Sequence, residues 1–169
     1  MTCLAFDGKY MAADSGVSMG NSRICGYEKI VYNRTLLDEQ NWYVASLCGS
    51  VSHIEEMAKV LSGKQDTVSS EYYENVNDSF GMVVYKDMKP RFVYANGKVS
   101  EPLDTPFLAA GSGTDFLMGV LAAGKTAMDA VHLAQVYNDG SFGKVRYVDL
   151  QQFFNKDISF PNIKTYHTN

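Results

Sequence analysis

Residues 1–15, Met1-Thr-Cys-Leu-Ala-Phe-Asp-Gly-Lys-Tyr-Met-Ala-Ala-Asp-Ser15, restrict the fold more than any other stretch. Cys3–Phe6 is small and apolar, Asp7-Gly8 is a strong hairpin-turn signal, and Tyr10–Ala13 returns apolar into Asp14-Ser15. The pattern predicts two short strands folded back on each other, which would hold inside a sheet a terminus that otherwise frays. It also carries chemistry. Removal of Met1 would leave a hydroxyl and a free α-amine on Thr2, so that a nucleophile and a candidate base share one residue. Asp14, at the end of the returning strand, could come back beside them. Asp-Gly turns and N-terminal strands are common, and this stretch gains meaning only together with residues further along the chain.

After a polar, glycine-rich segment at Gly16–Ser22, Tyr27–Tyr32 reads as a strand, with Lys29 and Val31 on one side and Ile30 and Tyr32 on the other. Taken alone, a lysine there is a solvent-facing or snorkelling residue. Trp42–Cys48 is a nearly continuous apolar strand that ends at Gly49-Ser50. A helix is predicted directly after it, with Ser52-x-x-Glu55 as a capping box and Val51, Ile54, Met57, Ala58 and Leu61 as its apolar stripe. A strand that stops in glycine against a helix start leaves backbone N–H groups pointing outward, a geometry able to bind an oxyanion. Gly63–Ser79 is polar and turn-rich, with at most a turn or two of helix around Ser70–Val76. Phe80–Tyr85, Arg91–Ala95 and Gly97–Leu103 read as consecutive antiparallel strands, and Pro106–Ala110 as another that runs into Gly111-Ser-Gly-Thr114. Helices are predicted over Thr114–Ala123 and Ala127–Tyr137, separated by Gly124. Asn138–Gly143 reads as a tight loop, Lys144–Leu150 as a strand, and the remainder as irregular or edge structure.

The order of strands, helix, strands, helix pair and strand suits an α+β chain forming a four-layer αββα sandwich, with two antiparallel sheets face to face and helices outside. A plain α+β sandwich with other connections fits the same order. The length of 169 residues suits one domain over 1–169 with a core that needs no disulfide or metal staple. A net charge of −4 without a basic block lacks the footprint of a nucleic-acid binder. No apolar run reaches the roughly 18 residues of a membrane span, and the start lacks the basic-then-apolar form of a signal peptide, so a cytoplasmic protein is expected. Cys3, Cys25 and Cys48 form no C-x-x-C pair and read as small buried hydrophobes, although Cys3 would be an alternative nucleophile. His53, His132 and His167 have no ligand at metal-binding spacing, so neither metal nor cofactor is expected.

The pieces that carry chemistry stand in a recognisable order. Thr2 opens a short strand; Ala12-Ala-Asp-Ser15, Glu28-Lys-Ile30, Cys48-Gly49 before a helix, Ala110-Gly-Ser-Gly113 before a helix, and a terminal Asp/Ser/Gly loop come after it. In this the chain resembles the proteasome β-subunit/HslV branch of the N-terminal nucleophile (Ntn) hydrolases, from about Thr2 to Ser141. The resemblance implies Thr2 as nucleophile of a threonine peptidase or amidohydrolase working through an acyl-enzyme. It implies Lys29 beside the hydroxyl, with Asp14 holding the lysine. A nearby ammonium lowers the pKa of both hydroxyl and amine, and the amine starts near ~7.7–8.0. Gly49 would offer an oxyanion-hole N–H, a kind of donor worth ~10²–10³ in rate. Ser112 would hydrogen-bond the amine, with Asp139 and Ser141 as distal supports. Val31, Leu47 and Val51 would line an apolar specificity pocket. A peptide or protein substrate, a homo-oligomer (ring or dimer) and an ATP-dependent unfoldase are the implied partners, without nucleic acid or membrane.

The chain also departs from that family. Asp139 and Ser141 stand two apart where the family has Asp-x-x-Ser, a spacing matched instead by Asn138 and Ser141. Gly16 stands where a basic residue is usual, and Gly63–Ser79 is short for a second long helix. A non-catalytic assembly or scaffold subunit of the same fold is the alternative. Gly111-Ser-Gly113 read as a nucleotide-binding turn lacks both a third glycine and a P-loop lysine.

Overall fold

The computed structural model describes residues 2–69, 71, 79–137, 141–157 and 163–168. The N-terminal hairpin forms as its sequence predicts. Strands β1 (Cys3–Phe6) and β2 (Tyr10–Ala13) pair antiparallel with Leu4 opposite Ala13 and Phe6 opposite Met11. Asp7 closes the turn by accepting the Lys9 and Tyr10 N–H groups on Oδ1, at 2.8 and 2.7 Å. Its Oδ2 accepts the Ala127 N–H at 2.7 Å and so ties the turn to a helix far along the chain.

Three further strands complete the first sheet: β9 (Leu108–Gly111), β10 (Arg146–Asp149) and β11 (Lys164–Thr165). The order is β11-β10-β2-β1-β9, so β1 is interior and β9 is the edge. The second sheet has the order β5-β6-β7-β8, from β5 (Ile30–Asn33), β6 (Tyr43–Leu47), β7 (Ser79–Val84) and β8 (Pro90–Tyr94). Between the sheets lie Leu4, Phe6 and Met11 from one and Ile30, Val44, Met82 and Val84 from the other, with Trp42. Fully burying side chains of this size stabilises by about 1.5–3 kcal/mol each.

Helix α1 (Val51–Leu61) covers the second sheet through Ile54 and Met57. Helices α2 (Thr114–Ala122) and α3 (Ala127–Tyr137) cover the first through Leu117, Leu121, Val131 and Ala134. The result is the four-layer αββα sandwich of two antiparallel sheets. None of the described helices is long and apolar enough to cross a membrane.

Four expectations are corrected. Gly16–Ser22 is not simply a loop: β3 (Gly16–Met19) and β4 (Ser22–Cys25) form a separate hairpin around Gly20-Asn21. Ser52 does not cap α1. Ser50 has the extended backbone of a cap and its Oγ accepts the His53 N–H at 3.3 Å, because Gly49 has already turned the chain out of β6. Gly97–Leu103 is not a strand. Only Val99 bridges to Val93, Ser100 Oγ takes the Phe92 N–H at 2.9 Å, and Pro102 has no N–H to offer. Lastly, one turn of helix, α4 (Leu150–Phe154), comes after β10, capped by Asp149 Oδ1 on the Gln152 N–H at 3.1 Å. The expected turn around Ser70–Val76 lies almost entirely outside the described residues, which there include only Glu71.

Candidate active site

Lys29 carries a charge from the second sheet to the first. Its backbone belongs to the second: Lys29 C=O accepts the Leu47 N–H at 3.0 Å, just before β5 begins. The preceding residue reaches the first sheet, where Glu28 Oε2 accepts Arg146 Nε at 3.0 Å. Thus anchored, Lys29 is 1% exposed and its ammonium enters the space beside β1. There Nζ donates to Thr2 Oγ1 at 3.0 Å and to Asp14 Oδ2 at 2.9 Å.

Asp14 is fully buried and fully employed. Oδ1 accepts the Cys3 N–H at 2.9 Å, while Oδ2 accepts Lys29 and, at a longer 3.4 Å, the Gly16 N–H. One carboxylate therefore orients the ammonium and also fixes the backbone next to Thr2. A buried ion pair satisfied in this way avoids the penalty that either charge would bear alone. On the other side of Thr2, its backbone N–H donates to Ser112 Oγ at 3.2 Å. Ser112 sits where β9 gives way to α2, one residue after Gly111. Gly111 adopts φ +94°, and a Cβ there would stand 2.1 Å from the Thr2 carbonyl oxygen.

Gly49 lies beyond the end of β6, where the β6–β7 ladder closes with the Cys48 N–H donating to Phe80 O at 2.8 Å. It is exposed, with φ +124°, a conformation open to glycine. His53 fills the space where a Gly49 side chain would go, with Nδ1 3.1 Å from the position of a Cβ. The imidazole is itself held by Nε2 against Ala95 O at 2.8 Å and by the Phe80 ring, 4.8 Å between centroids.

The structure thus brings Thr2, Asp14, Lys29 and Ser112 into one hydrogen-bonded cluster. Ser141 is buried beside Cys3. Its Oγ has no hydrogen-bond partner among the described residues, though it lies near enough to the Cys3 thiol to influence it. Asp139, like Asn138, lies outside the described residues. Leu47 is fully buried and packs with Ile54 and Met57 under α1; Val31 is half-buried against the same cluster, and Val51 half-buried at the first turn of α1. None of these three lines the cavity beside Ser112, which is about 390 Å³ and bounded by Cys48, Phe80, Ala109, Ala110, Gly111, Ser112 and Thr114. No sequence pattern points to that cavity, because it depends on which strand ends the sheet.

Gly16 has a structural reason. The Phe142 ring occupies the space of its missing side chain, 2.5 Å from a Cβ, and carries the Arg23 guanidinium 5.0 Å from its centroid. Of the cysteines, Cys3 and Cys48 are buried as expected, whereas Cys25 is exposed on β4. Burial raises the Cys3 thiol above its usual range and pushes Cys48 up to about 11, which keeps both protonated at neutral pH and poor nucleophiles. Among the described residues, no three His, Cys, Asp or Glu side chains gather where a metal could sit.

Layer order and sheet pairing together define the Ntn-hydrolase fold. Several solved structures share this fold. The helical assembly of the Anbu complex from Pseudomonas aeruginosa aligns with a TM-score of 0.66 at 14% identity, over 100% of this chain and 88% of that one. A Gly-1 mutant of Anbu from Hyphomicrobium sp. strain MC1 aligns at 0.59 and 17%, over 87% and 80%. Thiobacillus denitrificans BPH in complex with epoxomicin aligns at 0.57 and 17%, over 86% and 95%. No family model matches the chain, and no curated protein does.

Proposed function

We propose that the protein is an N-terminal threonine hydrolase that cleaves peptide or other amide bonds once Thr2 is the first residue. The observation that carries this reading is the contact of the Lys29 ammonium with Thr2 Oγ1 at 3.0 Å, with Asp14 behind the lysine and Ser112 at the Thr2 nitrogen. While Met1 is attached, that nitrogen is an amide with no basic lone pair. Freed, it becomes an amine that can accept the Oγ proton as Oγ bonds to the substrate carbonyl carbon. The ammonium stabilises negative charge on the attacking oxygen, and the Gly49 N–H does so on the carbonyl oxygen. The amine then returns its proton to the departing amine as the C–N bond breaks, and water hydrolyses the resulting ester. Asp139 and Ser141 are distal supports in this scheme; Val31 and Val51, both half-buried, favour an apolar substrate side chain, whereas Leu47, closed off under α1, backs that wall from within the core. We also read the chain as a subunit of a homo-oligomer, since the P. aeruginosa Anbu forms a helical assembly, and an ATP-driven unfoldase as the supplier of its substrates.

Epoxomicin, bound in the T. denitrificans BPH structure, is the probe. Protein whose first residue is Thr2 is expected to gain its mass, and the Thr2→Ala variant of unchanged fold to gain none. Equal labelling of both would move the chemistry to Cys3. If neither is labelled and Thr2-first protein cleaves no fluorogenic peptide, the chain is a non-catalytic assembly subunit of this fold.

A further inference from the structure

Among the described residues, the edge of the first sheet that passes the candidate site is open: strand β9 pairs with β1 on one side and with no other strand on the other. Its free side can be read from β1, since backbone groups alternate sides along an antiparallel strand. Cys3 turns both of its groups toward β2: the N–H donates to Asp14 Oδ1, and the C=O accepts the Asp14 N–H at 3.2 Å. Leu4 therefore faces β9, where its partner Ala110 faces back. Ala109 and Gly111 must then direct their N–H and C=O groups outward. The Gly111 carbonyl is taken by Thr114 Oγ1 at 2.6 Å. That leaves the Ala109 N–H and C=O and the Gly111 N–H along the groove, at the spacing a paired strand requires.

These residues line the cavity of about 390 Å³ beside Ser112, with Phe80 and Cys48 as its opposite, apolar wall. Ser112, whose hydroxyl holds the Thr2 nitrogen, is one of its lining residues. The departing half of an amide substrate takes its proton from that nitrogen, so the segment beyond the broken bond starts there. We propose that the open edge of β9 binds this departing segment as an added strand, with an apolar side chain turned toward Phe80 and Cys48. The inference rests on the threonine-hydrolase reading and assigns that site its leaving-side substrate: an extended peptide of at least two residues. Main-chain pairing at a sheet edge supplies the affinity and the apolar wall the preference. A departing group without a peptide backbone leaves the groove unused.

The test uses Thr2-first protein and three substrates with a common acyl peptide. One ends in aminocoumarin, one continues for two residues past the scissile bond, and one is that extended peptide N-methylated at the second added residue. N-methylation is expected to lower kcat/KM about tenfold, the scale of lost main-chain hydrogen bonds. Ala109→Pro removes an outward N–H that β1 does not use, and is expected to lower cleavage of the unmethylated extended peptide about tenfold relative to the aminocoumarin substrate. Changes of less than about twofold in both comparisons would overturn the groove's role while aminocoumarin release continues. No aminocoumarin release by the parent protein would instead sink the hydrolase reading, and the groove's role with it.

Discussion

The Thr2 carbonyl oxygen occupies the space where a side chain on Gly111 would begin, 2.1 Å from the Cβ position. The nucleophile's strand can approach β9 this closely only because position 111 is glycine at φ +94°. Gly111→Ala adds backbone strain of about 1–3 kcal/mol and pushes Thr2 away from Ser112. The expected outcome is a lowered thermal midpoint together with a loss of epoxomicin labelling larger than the loss of folded protein explains. Melting curves and intact mass on the same sample check it.

Asp14 and Lys29 are each stabilised by the other. Asp14→Ala leaves the ammonium buried with only the Thr2 hydroxyl, and is expected to destabilise by about 3–5 kcal/mol, as is Lys29→Met for the stranded carboxylate. The double variant Asp14→Leu/Lys29→Met removes both charges and is expected to recover much of that stability while remaining inactive. Urea denaturation of the set separates holding the fold from performing chemistry.

Gly49 makes a narrower prediction. At φ +124°, with His53 Nδ1 3.1 Å from the Cβ position, Gly49→Ala must turn the peptide or displace the imidazole. If the Gly49 N–H serves as the oxyanion donor of the proposed reaction, its displacement is expected to lower kcat by about 10²–10³ with KM little changed. Steady-state kinetics on a fluorogenic peptide reads the split.

Alkaline pH should weaken the fold. Burial pushes the Cys48 thiol from 9.0 up to about 11 and the Tyr43 hydroxyl from 10.0 up to about 12. Both groups stay protonated over an interval in which the unfolded chain has released its protons, so stability falls as pH rises. The contribution is complete below pH 9 and is lost between 9 and 11 for Cys48, then between 10 and 12 for Tyr43. Urea midpoints are expected to decline across that range, less steeply from 9 to 11 in Cys48→Ala.

Asp7 serves both a turn and a helix start. Asp7→Ala is expected to cost about 1–2 kcal/mol, the scale of a lost cap. Hydrogen exchange should quicken at the β1–β2 turn and at the start of α3 together.

Much of this architecture is legible wherever burial leaves a regular pattern. The first hairpin follows from two short apolar runs around an Asp-Gly turn, and α1 and α3 from their apolar stripes. The β3–β4 hairpin escapes because nearly all of it is exposed, so no alternation marks it, and α4 because one turn is too short to show a period. Gly97–Leu103 does run beside β8 through scattered hydrogen bonds, but Ser100 Oγ takes the Phe92 N–H and Pro102 has none to give, so no ladder forms. Within the site, Thr2, Asp14, Lys29 and Ser112 are reached through family likeness, and they do meet. The clamp of Asp14 on Cys3, His53 beneath Gly49 and the open edge of β9 arise from tertiary contacts that have no local signature.

The interior position of β1 also bears on how the chain is made. Its strand is synthesised ahead of β9 and Ser112, which complete its surroundings and come more than a hundred residues later. Pairing between such distant segments forms slowly. A nascent chain therefore carries Thr2 without the groups that would equip it, and whatever chemistry that residue performs is deferred until β9 and Ser112 have been made.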